Sequence, residues 1–256
     1  MLTNEWWMNA SDGEAAERCR AVARSLDLTF DRLAKRRYAG RTFRTAFFRD
    51  GDDSFALVPG GRFTLGFDVD AFRPSQEILE SYAGSAEEYG LGNLREFLAR
   101  QITPVRQVTL QPFLIEVSAT SVDAETVEEL AEQIAPYRLP TSDEWELACG
   151  AGARTLFRWG DDCPMDVYPV DRGDFDLHRI PNLYGLDIAR NPYDTEVVAD
   201  DAYRGGDGGS MICGGAGFFL GWLALASSYQ LPEEMAEPFD EDLSLTFYRR
   251  LRVIEE

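Results

Sequence analysis

A stretch of 25 residues without a charged side chain, Gly208 to Pro232, limits more than any other feature how this chain can fold. Residues 211–230 within it, MICGGAGFFLGWLALASSYQ, are long enough to span a bilayer as a helix. Glycines interrupt the segment, and Asp207 and Glu233 flank it without the basic and aromatic belts of a membrane span. We therefore expect residues 211–230 to form buried strands and loops of a soluble domain.

The composition is that of a packed globular protein. Of the 256 residues, 45% are hydrophobic and 27% are charged. The 22 glycines and the 12% of aromatic residues indicate many turns with large side chains packed between them. This combination favours a loop-rich α+β domain over a helical bundle.

The net charge restricts the class of partner. Asp and Glu total 45 against 25 Lys and Arg, so the formal net charge is −20. Such a field repels nucleic acids and anionic membrane surfaces, and we expect neither as a partner. It permits a peptide, protein or small-molecule ligand, with a basic one favoured by steering, although solubility alone also explains it.

Four cysteines are spread along the chain without a C-x-x-C pair: Cys19, Cys149, Cys163 and Cys213. The first residues lack the basic and apolar regions of a secretory signal. Reduced thiols and a cytoplasmic location are therefore expected. Cys19 and Cys149 fall on apolar helix faces, which predicts that both are buried structural residues.

Local patterns predict most of the helices and strands. A helix is predicted over residues 11–37, where Ser11 and Glu14 form a capping box. Residues 75–101 predict a second helical region, broken near Gly90 and Gly92. Further predictions are a strand at 42–49, a hairpin of SFALVP and RFTLGF around Gly60-Gly61, strands VRQVTL and PFLIEV, a helix at 127–134, and a last strand LTFYRRLRVI.

A second capping box, Thr141 with Glu144, predicts a short helix that places Trp145 against the core. Residues 138–140 should lead directly into this helix. Beyond Gly150 the chain is rich in Gly, Pro, Asn and Asp, which predicts mostly loop.

Seven segments, in this order, resemble the formylglycine-generating enzyme (sulfatase-modifying factor) family. They are FALVPGGRFTLGFD, VRQVTLQPFLIEV, YRLPTSDEWELACGAG, FRWGDD, PNLYGLDI, AYRGGDGGS and RRLRVI. The resemblance implies a C-type-lectin-like α+β domain at residues 51–256. Residues 1–50, predicted to be a helical and strand extension, and the helical insertion at 75–101 fall outside the usual pattern. We expect both to pack on the core.

The resemblance implies a copper site that this chain does not complete. In oxidase members, two cysteines after the G-G-S segment bind copper(I), a soft ion that favours two sulfur ligands. Cys213 follows Ser210 at the spacing of the first cysteine, but Phe218 stands at the second position. We therefore do not expect copper, and we expect Ser210 and Cys213 to be a vestigial catalytic pair with Cys213 buried. Cys163 would supply a second thiolate only if its loop folds over Cys213.

The resemblance also bears on two other metals, iron and calcium. Iron-dependent relatives hold the metal with three histidines, whereas this chain has only His178, which we expect in an exposed polar loop. Structural calcium in the family corresponds here to Asn191 and Asp194, which supply oxygen ligands. The alternative is a turn in which Asn191 and Asp194 hydrogen-bond to their own backbone.

These observations favour a divergent, non-oxidase member that acts as a binding module. Its cleft, with Phe218, Phe219 and Trp222, would recognise a peptide, protein or small ligand. One alternative is a copper-dependent formylglycine-generating oxidase, or another enzyme, that uses Cys213 with Ser210. A weaker alternative is membrane association through residues 211–230. Copper binding separates the binding module from the oxidase.

Overall fold

A computed structural model of the chain describes residues 2–124, 126–171, 173–200, 202–231 and 246–255. The helices in these residues are α1 Asn4–Asn9, α2 Asp12–Leu26, α3 Gln76–Tyr89, α4 Leu94–Gln101, α5 Val127–Gln133, α6 Ser142–Gly150, α7 Ser210–Cys213 and α8 Phe218–Leu223. The strands are β1 Thr29–Tyr38, β2 Arg41–Asp50, β3 Asp53–Val58, β4 Gly61–Leu65, β5 Arg106–Leu110, β6 Phe113–Glu116, β7 Thr120–Ser121, β8 Thr195–Val197, β9 Tyr203–Arg204, β10 Thr246–Tyr248 and β11 Leu251–Val253.

Three sheets organise the described part of the chain. The largest has the order β1-β2-β3-β6-β11, and all of its neighbouring strands are antiparallel. A second sheet has the order β7-β10-β8-β9, with β10 and β8 parallel, and β4 pairs with β5 in a third. Helices and mixed sheets thus share one fold, which is the α+β class that the sequence predicts.

The predicted helix over residues 11–37 is wrong in its second half. The capping box of Ser11 and Glu14 starts α2 as expected, but α2 ends at Leu26. Asp27 adopts the left-handed conformation, with φ of 57°, and its N–H bonds to the carbonyl of Ala23. The chain then enters β1, which pairs with β2 from Thr29 to Tyr38 with a shift in register between Phe30 and Arg32. Pairing across the sheet overrides the local helical spacing.

The predicted hairpin around Gly60-Gly61 is also wrong, because β3 and β4 belong to different sheets. The N-terminal segment inserts at this point. The N–H of Asn4 donates to the Gly60 carbonyl at 2.7 Å, and the Gly60 N–H donates to the Leu2 carbonyl at 3.0 Å. A Cβ on Gly60 would lie 2.5 Å from the backbone nitrogen of Pro112, so this glycine permits a close crossing of chains.

Other local predictions are confirmed. Gly90, with φ of 65°, ends α3 before α4 begins. Strands β5 and β6 and helix α5 occur where the sequence predicts them. Thr141 and Glu144 form the capping box of α6, and Trp145 is fully buried. Cys19 and Cys149 are buried, as expected.

The predicted last strand is two strands in two sheets, β10 and β11, with Arg249 and Arg250 between them. Its first residue, Leu245, lies outside the described residues. The boundary between an extension and a family domain at residue 50 stays a prediction. In the structure, β2 and β3 pair directly across that boundary.

Residues 211–230 are largely core. Phe219, Trp222 and Leu225 are at most 1% exposed, which confirms the predicted burial of this segment. Its regular structure is the short helices α7 and α8 joined by turns, where strands and loops were predicted. Among the helices of the described residues, none has the length and apolar character needed to cross a membrane. Pro232 and Glu233 fall outside the described part of the chain.

Candidate functional site

Arg249, the first of the two arginines between β10 and β11, forms a buried ion pair with Glu196. Arg249 is 1% exposed, and its Nε donates to Oε2 of Glu196 at 2.7 Å while Nη2 donates to Oε1 at 2.9 Å. The indole N–H of Trp145 also donates to Oε2 of Glu196, at 2.8 Å. Buried charges persist in proteins only when they are paired in this way. Arg249, Glu196 and Trp145 therefore hold β10, β8 and α6 together.

The glutamates of the E-W-E segment have structural partners as well. Glu144 accepts two hydrogen bonds from Arg138, at 2.6 and 2.7 Å. Glu146 is 4% exposed and accepts from Thr103 Oγ1 and from Arg106, each at 2.8 Å. The carboxylates that carry the family resemblance are thus engaged in the framework, so the resemblance identifies a fold and leaves the chemistry open.

A buried aspartate shapes the loop before Cys213. Asp207 is 4% exposed, and its carboxylate accepts from the backbone N–H of Gly209 at 2.8 Å and of Met211 at 3.2 Å. Burial raises the pKa of Asp207, while the backbone hydrogen bonds act in the opposite direction. Ser210 Oγ donates to the Asp207 carbonyl at 2.6 Å, so this predicted site residue stabilises the start of α7.

Two glycines allow this loop to pack on residues 191–194. A Cβ on Gly206 would lie 2.0 Å from the Asp194 carbonyl oxygen, and one on Gly209 would lie 2.1 Å from the ring of Tyr193. No side chain fits in either place. The glycines of the R-G-G-D-G-G-S segment thus permit the contact that brings Tyr193 up to α7.

Cys213 is exposed, which corrects the expectation of a buried thiol. Its sulfur lies 3.1 Å from the hydroxyl oxygen of Tyr193. This hydrogen bond is the main cause that raises the pKa of Tyr193, followed by desolvation. No sequence pattern predicts this pair, because Tyr193 lies 20 residues before the cysteine in another loop.

The helical insertion packs on the segment where the second copper ligand of the oxidases would lie. Ser85 Oγ accepts from the N–H of Gly217 at 2.8 Å, and Ser81 Oγ accepts from the N–H of Phe219 at 3.1 Å. These two serines of α3 satisfy backbone donors at the start of α8, which otherwise has no side-chain cap. Phe218 lies between the two capped positions. The insertion therefore holds the backbone on both sides of Phe218.

The same helix also approaches the cysteine. Tyr89, in the last turn of α3, donates its hydroxyl to the carbonyl of Gly214 at 2.6 Å. Gly214 directly follows Cys213, so α3 extends along the chain from the thiol to α8. With one thiolate at Cys213 and an aromatic ring at Phe218, the residues present do not fit the two-sulfur site that copper(I) favours.

A groove of about 780 Å³ opens beside Phe218. Its walls are Glu77, Glu80, Ser81, Cys163, Pro164, Met165, Asp166, Gly217 and Phe218. The Phe218 ring packs on Tyr168 with centroids 4.7 Å apart. Phe219 and Trp222, predicted to line a cleft, are instead core residues with 0% and 1% exposure, because α8 turns them inward. Cys163 is half-buried, and burial raises the pKa of its thiol.

His178 is buried, which corrects the expectation of an exposed loop residue. It is 1% exposed, stacks on Phe175 and meets the edge of Trp222 at a centroid distance of 4.8 Å. Its Nε2 lies 2.9 Å from the Pro169 carbonyl oxygen, whereas Nδ1 has no partner in the described residues. Burial lowers the pKa of His178 to about 4, so the ring is neutral at pH 7.

Asn191 and Asp194 form a turn. Asn191 Oδ1 accepts from the Tyr193 N–H at 3.1 Å, and Asn191 Nδ2 donates to Asp194 Oδ1 at 2.8 Å. Burial raises the pKa of Asp194. The described residues contain no group of three or more His, Cys, Asp or Glu side chains that could hold a metal ion. Calcium takes six to eight oxygens, so the geometry favours the turn, and calcium binding stays a prediction.

A comparison with protein families decides the relationship. The family model described as the sulfatase-modifying factor enzyme 1-like domain matches residues 46–180, just over half of the chain. The chain belongs to this family. The matched part ends before Ser210, Cys213 and Phe218, so membership rests on the framework and not on the segment of the copper ligands. No curated protein matches the chain.

Proposed function

We propose that this family member is a binding module rather than an oxidase, and that its ligand is a cationic peptide, protein segment or small molecule bound in the groove beside Phe218. One observation carries the proposal. The groove has three carboxylates, Glu77, Glu80 and Asp166, and no basic side chain among its lining residues. An aromatic ring and two sulfur-bearing side chains complete its surface.

The chemistry of the groove suits a ligand with an apolar stem and a cationic head. A cation over the face of Phe218 would gain about 0.5–1 kcal/mol at an exposed position. Each exposed carboxylate would add up to about 1 kcal/mol. The net charge of −20 would also raise the rate of encounter with a basic partner. The lectin-like scaffold implied by the resemblance would present this surface on ordered loops.

The binding test uses a fluorescein-labelled octapeptide of alternating arginine and leucine, with fluorescence anisotropy at low salt. We expect Glu77→Gln/Glu80→Gln and, separately, Phe218→Ala to weaken binding at least tenfold. The matched control is Glu128→Gln/Glu132→Gln, which removes two exposed carboxylates from α5 and should change binding less than twofold. Equal losses in both double variants would mean that the overall field, and not the groove, attracts the peptide.

The oxidase alternative keeps one observation in its favour, the exposed and hydrogen-bonded thiol of Cys213. Purified protein would be incubated with copper(I), oxygen and a Cys-x-Pro-x-Arg peptide, and the aldehyde sought by mass spectrometry. We expect no turnover. Turnover that Cys213→Ser abolishes would refute the proposal and direct attention to Cys163 as a second ligand. Copper binding by Phe218→Cys alone would show that the scaffold kept the geometry of the site.

A further inference from the structure

Strand β1 leaves a long sheet edge open. It has ten residues and lies at one end of the five-stranded sheet, where β2 is its one strand partner among the described residues and the register shifts between Phe30 and Arg32. In the described residues, no backbone group outside β2 hydrogen-bonds to β1. An edge of this length presents a row of N–H and C=O groups that another extended chain can pair with.

The β1–β2 hairpin (residues 29–50) has a charge opposite to that of the rest of the chain. It carries seven of the 25 basic residues and only two of the 45 acidic ones. The seven are Arg32, Lys35, Arg36, Arg37, Arg41, Arg44 and Arg49. The protein thus has a local cationic surface at its open sheet edge.

Among the described residues, only Arg32 and Arg44 of these seven cations form ion pairs. Arg44 pairs with Asp12 at 2.9 Å. In contrast, Lys35 and Arg37 are exposed and make no hydrogen bond or ion pair with the described residues. They are two residues apart in a strand and so project from the same face. Lys35 also lies directly opposite Arg44 in the register, an arrangement of like charges that destabilises a sheet. A carboxylate placed beside Lys35 would relieve this repulsion.

A groove of mixed polar and apolar character adjoins Lys35. It has a volume of about 490 Å³, and its lining includes Trp7, Met8 and Leu33 together with the charged side chains of Lys35, Arg44 and Asp12. Met8 is 58% exposed, the largest value among the exposed large hydrophobic residues of the described chain. Protein interfaces combine an apolar core with a polar rim, and Met8 beside Lys35 fits an apolar side chain and an acidic one of the same ligand.

Charged residues on an edge strand also protect a sheet from aggregation, which is the simplest explanation of Lys35 and Arg37. Edge protection does not, however, explain why the exposed Met8 lies in the groove beside Lys35.

We propose that the outer edge of β1 is a docking site for an acidic, extended segment of another protein, which adds to the sheet as a further strand. Carboxylates two residues apart on the segment pair with Lys35 and Arg37, and an apolar side chain packs on Met8. A nucleic acid has no backbone amides that could pair with the edge, and the acidic remainder of the molecule would repel its phosphates. A second copy of β1 would bring like charges together. The site is separate from the groove at Phe218.

The probe is a fluorescein-labelled ten-residue peptide of alternating glutamate and valine, followed by fluorescence anisotropy. We expect Lys35→Glu/Arg37→Glu to weaken binding at least tenfold, and the neutral pair Lys35→Gln/Arg37→Gln to weaken it less than that but more than threefold. Because both side chains are exposed, and because Lys35→Glu removes the repulsion from Arg44, the variants should have a thermal midpoint no lower than that of the wild type. The control Arg62→Glu/Arg100→Glu makes the same change in net charge elsewhere and should alter binding less than twofold.

Strand addition has its own control, the same peptide N-methylated at alternate residues, which removes backbone donors and should lose at least tenfold in affinity. Equal binding of that peptide would refute strand pairing. Binding unchanged in both Lys35/Arg37 variants would refute the site. Single-stranded DNA of 18 nucleotides is tested in the same way. If it binds as tightly as the peptide, and if the same variants lose that binding, the partner is a nucleic acid and the proposal is wrong. If sedimentation shows a dimer that Lys35→Glu/Arg37→Glu dissociates, the edge binds a second copy of this chain and not a segment of another protein.

Discussion

Protonation of the buried histidine should destabilise the fold at mildly acidic pH. His178 is enclosed by aromatic rings, and its Nδ1 has no acceptor among the described residues for the proton that would make the ring a cation. Desolvation is the main cause that lowers its pKa to about 4, the nearby guanidinium groups of Arg158 and Arg179 act in the same direction, and Asp176 opposes them. The unfolded chain restores a pKa near 6.5.

The sign and size of the effect follow from this difference. Between about pH 6.5 and 4 the unfolded state binds a proton at His178 and the native state does not, so the free energy of unfolding falls as the pH falls. Each pKa unit is worth 1.36 kcal/mol, so the full loss is roughly 3 kcal/mol. The raised pKa values of Asp194 and Asp207 have the opposite sign, because those groups take up protons more readily in the native state.

The assay compares urea unfolding of the wild type and of His178→Gln at pH 7, 5.5 and 4.5. Because both proteins contain the same carboxylates, the difference between their pH dependences isolates the histidine. The wild type should lose roughly 2 kcal/mol more than the variant over this range. His178 is the only histidine, so its NMR titration needs no assignment. A native pKa near 6.5, or equal pH dependences, would refute the reasoning.

Three further predictions concern the framework and calcium. Thr141→Ala should lower the free energy of unfolding by about 1 kcal/mol through loss of the α6 cap, with Thr141→Ser as the conservative control in urea titrations. Arg249→Met leaves the buried carboxylate of Glu196 without its cation and should cost about 3–5 kcal/mol; recovery in Arg249→Met/Glu196→Gln would attribute the loss to the unpaired charge. If Asn191 and Asp194 bind calcium, millimolar calcium should raise the thermal midpoint above that in chelator, and an unchanged midpoint would mean that the site is lost.

The sequence predicts the helix starts in this protein because each depends on a few neighbouring residues. Ser11 with Glu14 and Thr141 with Glu144 satisfy helix donors locally, and both capping boxes are present in the structure. The glycine that ends α3 acts through its own backbone conformation. Long-range pairing is not encoded in this way. Residues 29–38 have a helical spacing of apolar residues, yet they form β1 because β2 supplies a partner from Thr29 to Tyr38.

The candidate site shows the same division. The sequence identifies Cys213 as a single thiol and Phe218 as an aromatic residue in a ligand position, and the structure leaves both identities unchanged. The sequence does not show that Phe219 and Trp222 face the core, because their orientation depends on how α8 packs against α3. Nor does the sequence show that Tyr193 reaches the sulfur of Cys213, a contact that requires glycines at 206 and 209 in a different loop.

By itself, then, the sequence determined the family, the fold class and the chemical groups available at the site. Only the tertiary structure decided which groups meet. It closed Arg249 on Glu196, buried His178 among aromatic rings, and exposed Cys213 beside Tyr193. The physical reason is range. Caps, turns and charge act within a few residues along the chain, whereas burial, ion pairing and pKa are set by neighbours that are distant in sequence and adjacent only after folding.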